Sequence, residues 1–79
     1  MKVELILFAG LARYMPEKID GKPSFVEVTE GTSVGNLLER FNIPKDKKKI
    51  IFVNGIISQE DTVLNDGDRA GIFPVVAGG

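Results

Sequence analysis

Neither cysteine nor histidine occurs among the 79 residues. Without cysteine the chain cannot form a disulfide or a thiolate metal site. Without histidine, nucleophilic triads, imidazole acid–base chemistry and the usual zinc sites lose their commonest residue. Neither sign of charge dominates: ten Lys plus Arg against eleven Asp plus Glu leave a net charge of −1. That balance gives no electrostatic footprint for nucleic acid. A long apolar run is also missing. Val3 to Ala12 is mostly apolar but carries Glu4, and it is too short to span a bilayer. No small-x-small cleavage site follows a basic segment, so no signal peptide is read. The expectation is a cytoplasmic protein with neither a nucleic-acid nor a membrane partner.

What remains is a globular composition, 43% hydrophobic and 27% charged, sized for one domain. A core this small buries only about 60% of the unfolded surface, so packing must be efficient. Val3, Leu5 and Leu7 alternate with Lys2, Glu4, Ile6 and Phe8. This predicts a strand whose second face turns apolar towards its end. Ala9 to Pro23 holds two Gly and two Pro and reads as a long connection, with Leu11, Tyr14 and Met15 covering an edge of the core. Phe25 to Thr29 is a second strand, with Val26 and Val28 on one face.

Val34, Leu37, Leu38 and Phe41 recur at i, i+3, i+4 and i+7, which marks one face of a helix. Thr32 is the expected N-cap. Asn42 suits the left-handed position after the helix, and Pro44 prevents continuation. Gly35, which costs about 1 kcal/mol against Ala inside a helix, is expected to let the helix approach a sheet. Lys45 to Lys49 is a polar loop, and Ile50 to Val53 a third strand. Asn54-Gly55 is a tight turn into a brief return strand at Ile56-Ile57. In the irregular Glu60 to Leu64 segment, Val63 and Leu64 are the expected anchors. Asn65-Asp66-Gly67-Asp68 is a second turn; together with Asp61 it misses the calcium-loop spacing. Arg69 to Phe73 is the last strand, closed by Pro74.

One helix cannot cover both faces of a sheet. The economical solution is a mixed sheet wrapped around it, an α+β domain. The first two strands pair antiparallel and the last lies beside the first. This is the β-grasp, or ubiquitin-like, plan. The domain is expected over residues 1–74, with a flexible arm over 75–79.

The chain ends Ile72-Phe73-Pro74-Val75-Val76-Ala77-Gly78-Gly79. Two terminal glycines fit either a frayed end or a reactive carboxylate. The segments Leu7 to Arg13, Thr32 to Leu38, Phe52 to Gly55, Asp61 to Asp68 and Ile72 to Gly79, in that order, resemble the small sulfur-carrier family of MoaD/ThiS type. That family includes the small subunit of molybdopterin synthase and the thiamin-biosynthesis sulfur carrier. The exit of the first strand and the Phe73-Pro74 approach look more like the molybdopterin branch. That branch commonly carries a second Pro where this chain has Val75.

The resemblance implies a co-substrate rather than an enzyme. An E1-like activating enzyme would adenylate the Gly79 carboxylate with ATP. The adenylate would then take sulfur, usually from a persulfide, and become a thiocarboxylate. The large catalytic subunit of molybdopterin synthase, in a heterotetramer, or another sulfur acceptor would receive it. No cofactor is expected to be bound, and the sulfur is carried covalently at the C-terminus. From Val75 to Gly79 an extended chain reaches about 16 Å. Gly78 gives clearance because it lacks a Cβ, and Val75 and Val76 favour extended pairing with a partner, alongside Ala77. Ile6, Phe8 and Phe73 form either a docking patch or a surface covered by Leu11 or Tyr14. Arg13 and Arg69 are interface candidates or plain surface positions. The lysines from 45 to 49 either steer an acidic partner or line a solvated loop. Alternative functions are thiamin or other thiolation pathways, a ubiquitin-like modifier conjugated through Gly79, and an inert β-grasp interaction domain.

Overall fold

The computed structural model describes residues 1–75. Five strands and one α-helix follow in the order β1 (Lys2–Leu7), β2 (Pro23–Glu27), α1 (Val34–Arg40), β3 (Lys49–Val53), β4 (Ile56–Ser58) and β5 (Arg69–Pro74). A 3-10 helix, Ala9–Tyr14, interrupts the first long connection. The sheet runs β2-β1-β5-β3-β4. β1 pairs antiparallel with β2 and parallel with β5, and β3 pairs antiparallel with both β5 and β4. This is the mixed β-grasp sheet expected from the order of elements. The parallel pair at its centre is closed by the segment that carries α1, as a crossover requires.

Period-two alternation sorts the strand residues onto two faces. Val3, Leu5 and Leu7, with Ala70 and Ile72, lie buried under the helix, as do Ile51 and Val53. Val34, Leu37 and Leu38 meet them from α1, and Leu11, Met15, Ile43 and Leu64 close the ends of the same cluster. Leu64 anchors the β4–β5 connection, whereas Val63 stays exposed. Its backbone forms an isolated bridge with Ser33 instead, so only one of the two expected anchors is buried.

The helix start also differs from expectation. Ser33, not Thr32, is the N-cap. Ser33 Oγ accepts from the Asn36 N–H, and Asn36 Oδ1 accepts from the Ser33 N–H, both at 3.1 Å. This reciprocal box uses Asn where Glu or Gln is usual. Thr32 turns back to donate to the Thr29 carbonyl. At the other end Asn42 adopts φ 61°. Its N–H reaches the Glu39 carbonyl, and that of Ile43 reaches Leu38. This is the double bond of a Schellman end, with apolar Ile43 tucked beneath it. Gly35 does not face the sheet. A Cβ there would lie 3.1 Å from the Glu60 carbonyl oxygen, which accepts the Gly35 N–H at 2.7 Å. The glycine lets the β4–β5 connection close onto the first helical turn.

β2 begins two residues earlier than the sequence suggests. Val28 nevertheless continues the ladder, its N–H donating to Met1 at 2.8 Å. The acidic turn is held by its own carboxylates. Asp66 accepts the Lys2 N–H, and Asp68 accepts both the Asn65 N–H and the Asn54 amide.

Candidate functional site

The outer face of the sheet, opposite the helix, carries Ile6 and Phe8 from β1 and its exit, Phe25 from β2, Gly71 and Phe73 from β5, Ile50 and Phe52 from β3, and Ile57 from β4. Registers place these side chains together: Ile6 opposite Gly71, Phe52 between Gly71 and Ile57, and Ile50 opposite Phe73. Phe8 and Phe73 stack with centroids 4.1 Å apart and planes within 3°. Phe52 meets Phe73 edge-on at 5.7 Å and 85°. Stacked and edge-on pairs are the favoured aromatic geometries. The Phe8 ring lies over the Gly71 backbone, where a Cβ would sit in ordinary van der Waals contact at 3.5 Å. Ile6, Phe8, Phe52, Gly55, Arg69, Gly71 and Phe73 line a shallow cleft of about 440 Å³.

The first strand's exit does not cover this cleft. The Ala9–Tyr14 helix sends Leu11 into the core on the helix side, and Tyr14 packs against that core too. Phe25, Ile57 and Phe73 remain 69%, 71% and 37% exposed. Ile6, Phe8 and Phe73 therefore do sit together, although Ile6 is buried and Phe8 half-buried, leaving Phe73 the exposed member of the three. Phe25, Ile50, Phe52 and Ile57 extend the surface beyond the three residues that sequence reasoning named. Exact register, which sequence alternation leaves open, brings the additional residues in. Arg69 joins the cleft rim. Arg13 does not: it lies on the 3-10 helix, its guanidinium 6.0 Å from the Tyr14 ring centre, within reach of a cation–π contact.

β5 runs out beside this surface. Pro74 is the last strand residue, opposite Lys49, and the exposed Val75 still donates its N–H to the Lys48 carbonyl at 3.2 Å. Val76, Ala77, Gly78 and Gly79 lie outside the described residues. The lysine loop sits against this exit. Lys45 pairs with Glu39 at 2.9 Å; that hydrogen bond first, and the carboxylate's charge second, raise the Lys45 pKa above the ordinary lysine value. Lys49 departs from the solvated-loop reading. Its side chain is 4% exposed, its ammonium donates to the Lys47 carbonyl and it lies 3.6 Å from Glu60. It thus pins the loop against which the exit runs. A second groove, about 330 Å³ between α1 and the β2 edge, contains none of the site residues predicted from sequence.

The comparisons with known proteins agree with this architecture. Residues 7–79 match the model of the ThiS family. A molybdopterin synthase sulfur carrier subunit from Mycobacterium tuberculosis is 37% identical over 81 aligned positions, covering 94% of each chain. Among solved structures, small archaeal modifier protein 1 of H. volcanii superposes with a TM-score of 0.73 at 21% identity, covering 95% of this chain and 98% of that one. A chain in the complex of subunits 1 and 2 of the Helicobacter pylori molybdopterin-converting factor superposes with a TM-score of 0.61 at 22% identity over the full length of both. At these identities the two structures speak for the fold.

Proposed function

The chain belongs to the ThiS family, and from that premise we propose that it is a sulfur carrier serving molybdopterin synthesis, a co-substrate rather than an enzyme. The observation that carries the reading is the coincidence of two features. An uncovered aromatic face lies beside the strand that launches Gly78-Gly79, and the 37%-identical relative is a molybdopterin synthase sulfur carrier subunit.

The chemistry follows from what a carboxylate lacks. Its oxygen is too poor a leaving group for sulfur to displace. In the proposed cycle the Gly79 carboxylate attacks the α-phosphorus of ATP on an E1-like activating enzyme, and pyrophosphate leaves. A persulfide sulfur then displaces AMP, forming the C–S bond as the acyl C–O bond breaks. A thiol cleaves the remaining S–S bond, leaving a thiocarboxylate and a disulfide. ATP and the sulfur donor are held by the partners. This chain contributes the terminal carbon and an approach without Cβ atoms. Its apolar face docks first the activating enzyme and then the large catalytic subunit. The solved complex of the H. pylori subunits supports a large-subunit partner of this kind.

Mass spectrometry tests the reading. The chain is incubated with its activating enzyme, ATP and a persulfide donor. Exchange of one terminal oxygen for sulfur is the expected product. Isopeptide-linked peptides ending in Gly78-Gly79, without the thiocarboxylate, would instead establish a protein modifier, a reading that the fold shared with the archaeal modifier keeps in play. Neither product, with unaltered activity after deletion of Gly79, would leave an interaction domain.

A further inference from the structure

The outer face carries charge at two neighbouring places, Lys2 opposite Glu27 at its far edge and the Glu4–Arg69 pair next to the aromatic cleft. Glu4 and Arg69 are direct neighbours in the parallel β1–β5 register, with Arg69 Nε donating to Glu4 Oε2 at 2.5 Å. The pair lies between the two apolar parts of the face. Phe25 is Glu4's register neighbour on β2, while Arg69 lines the aromatic cleft with Phe8, Phe52 and Phe73. A partner that covers both parts covers the pair.

The two charges are unequally exposed. The Glu4 side chain is 14% exposed and that of Arg69 is 65% exposed. Glu4 is already withdrawn behind its partner. Arg69 meets solvent with the guanidinium N–H groups that Glu4 does not use; a guanidinium has five donors in a fixed fork. Its backbone is clamped: the Asn54 side chain accepts the Arg69 N–H at 3.0 Å, and the Asn54 N–H donates to the Arg69 carbonyl at 2.8 Å. Asp68 in turn accepts the Asn54 amide. The Asn54-Gly55 turn therefore fixes the point from which Arg69 reaches out.

Building on the docking reading above, we propose that Arg69, neutralised from behind by Glu4, selects the partner. The large catalytic subunit must present a carboxylate, set among apolar side chains, opposite the Arg69 guanidinium. Burying the free donors against an apolar surface would leave them unsatisfied, at a cost that a facing carboxylate removes. A partner offering an amine at that point would be rejected by like charge. The rest of the face supplies contact area but little discrimination, because aliphatic and aromatic surfaces accept many shapes. Arg69 is a specificity residue in this account and takes no part in the sulfur chemistry.

The test measures affinity for the large catalytic subunit of the same organism's synthase, with unfolding followed in parallel. The reversed pair Glu4→Arg/Arg69→Glu keeps the cross-strand attraction, so cooperative unfolding is expected to persist, while affinity falls by about tenfold or more. Arg69→Gln removes the charge with a smaller change in shape. It is expected to weaken binding about three- to tenfold and to flatten its salt dependence. A reversed pair or Arg69→Gln that binds within about twofold of the parent, at unchanged salt dependence, would overturn the proposal. Phe73→Ala separates this from failure of the docking reading. If Phe73→Ala loses binding and the Arg69 variants do not, the face docks but Arg69 does not select. If Phe73→Ala also binds like the parent, the docking reading fails and this proposal with it.

Discussion

The two faces of one sheet are built from the same strands but from different chemistry. Towards the helix the buried hydrophobic residues of the strands are all aliphatic: Val3, Leu5, Leu7, Val26, Ile51, Val53, Ala70 and Ile72. Away from it they present Phe8, Phe25, Phe52 and Phe73, four of the five phenylalanines in the chain. A small core fills best with branched aliphatics of defined rotamer. Aromatics give large contact area at low conformational cost and are enriched at interfaces. The division shows that the strands build their side of the core without phenylalanine; the fifth, Phe41, packs against that core from the end of α1. The outer face is surplus to folding, and its composition is that of a surface awaiting a partner.

Substitutions on each face test the contrast directly. The largest effect on stability is expected on the helix side. Leu5→Ala removes a fully buried side chain at the sheet centre and is expected to cost about 2–5 kcal/mol, read as a fall in the urea midpoint. Next comes Phe73→Ala on the outer side. It is expected to cost about 1 kcal/mol of stability, the worth of its aromatic contacts. It should remove about 2 kcal/mol or more of affinity for the catalytic subunit, as interface anchors do. A stability loss as large as that of Leu5→Ala would place Phe73 in the core and erase the distinction between faces. Smaller again is Ser33→Ala, expected to cost about 1 kcal/mol by opening the helix cap, with binding to the catalytic subunit unchanged. Thr32→Ala, one residue earlier, should cost less in the same denaturation experiment.

The smallest effect lies in the charged loop. The Lys45 pKa is raised in the folded state by its hydrogen bond to Glu39. The pair's contribution is therefore fully present below the ordinary lysine pKa and is lost as pH rises through the higher folded value. Glu39→Gln should unfold at a slightly lower temperature than the parent near neutrality, and the difference should shrink in strongly alkaline buffer. Both groups are well exposed, so solvent screening keeps the effect small. A gap that widened with pH would contradict the assignment.

Much of this was legible in the residues themselves. The 3.6-residue period at Val34, Leu37, Leu38 and Phe41, the alternation at Val3, Leu5 and Leu7, and the Asn54-Gly55 turn mark out the main elements of the β-grasp order. What escaped were choices between near neighbours. Thr32 and Ser33 are both good caps, and the winner is decided by which hydroxyl meets Asn36 three residues on. Val63 and Leu64 are both apolar, and only the backbone bridge to Ser33 decides which one turns inward. The site was half legible. Ile6 and Phe8 stand out because the second face of β1 turns apolar towards its end, and Phe73 because it leads into the tail. Phe25, Ile50, Phe52 and Ile57 become part of the face only once four strand registers are known. The burial of Lys49 had no signal in a run of lysines.

In the proposed cycle the carboxylate of Gly79 does the work while the folded domain delivers it. The most direct measurement compares the parent chain with one extended by a single residue after Gly79, in binding to the catalytic subunit and in sulfur transfer to the acceptor. The extended chain is predicted to fold normally and to retain a measurable docking interaction through its outer face, yet to acquire no thiocarboxylate and transfer no sulfur. An extended chain that still carried and delivered sulfur at the parent rate would contradict it.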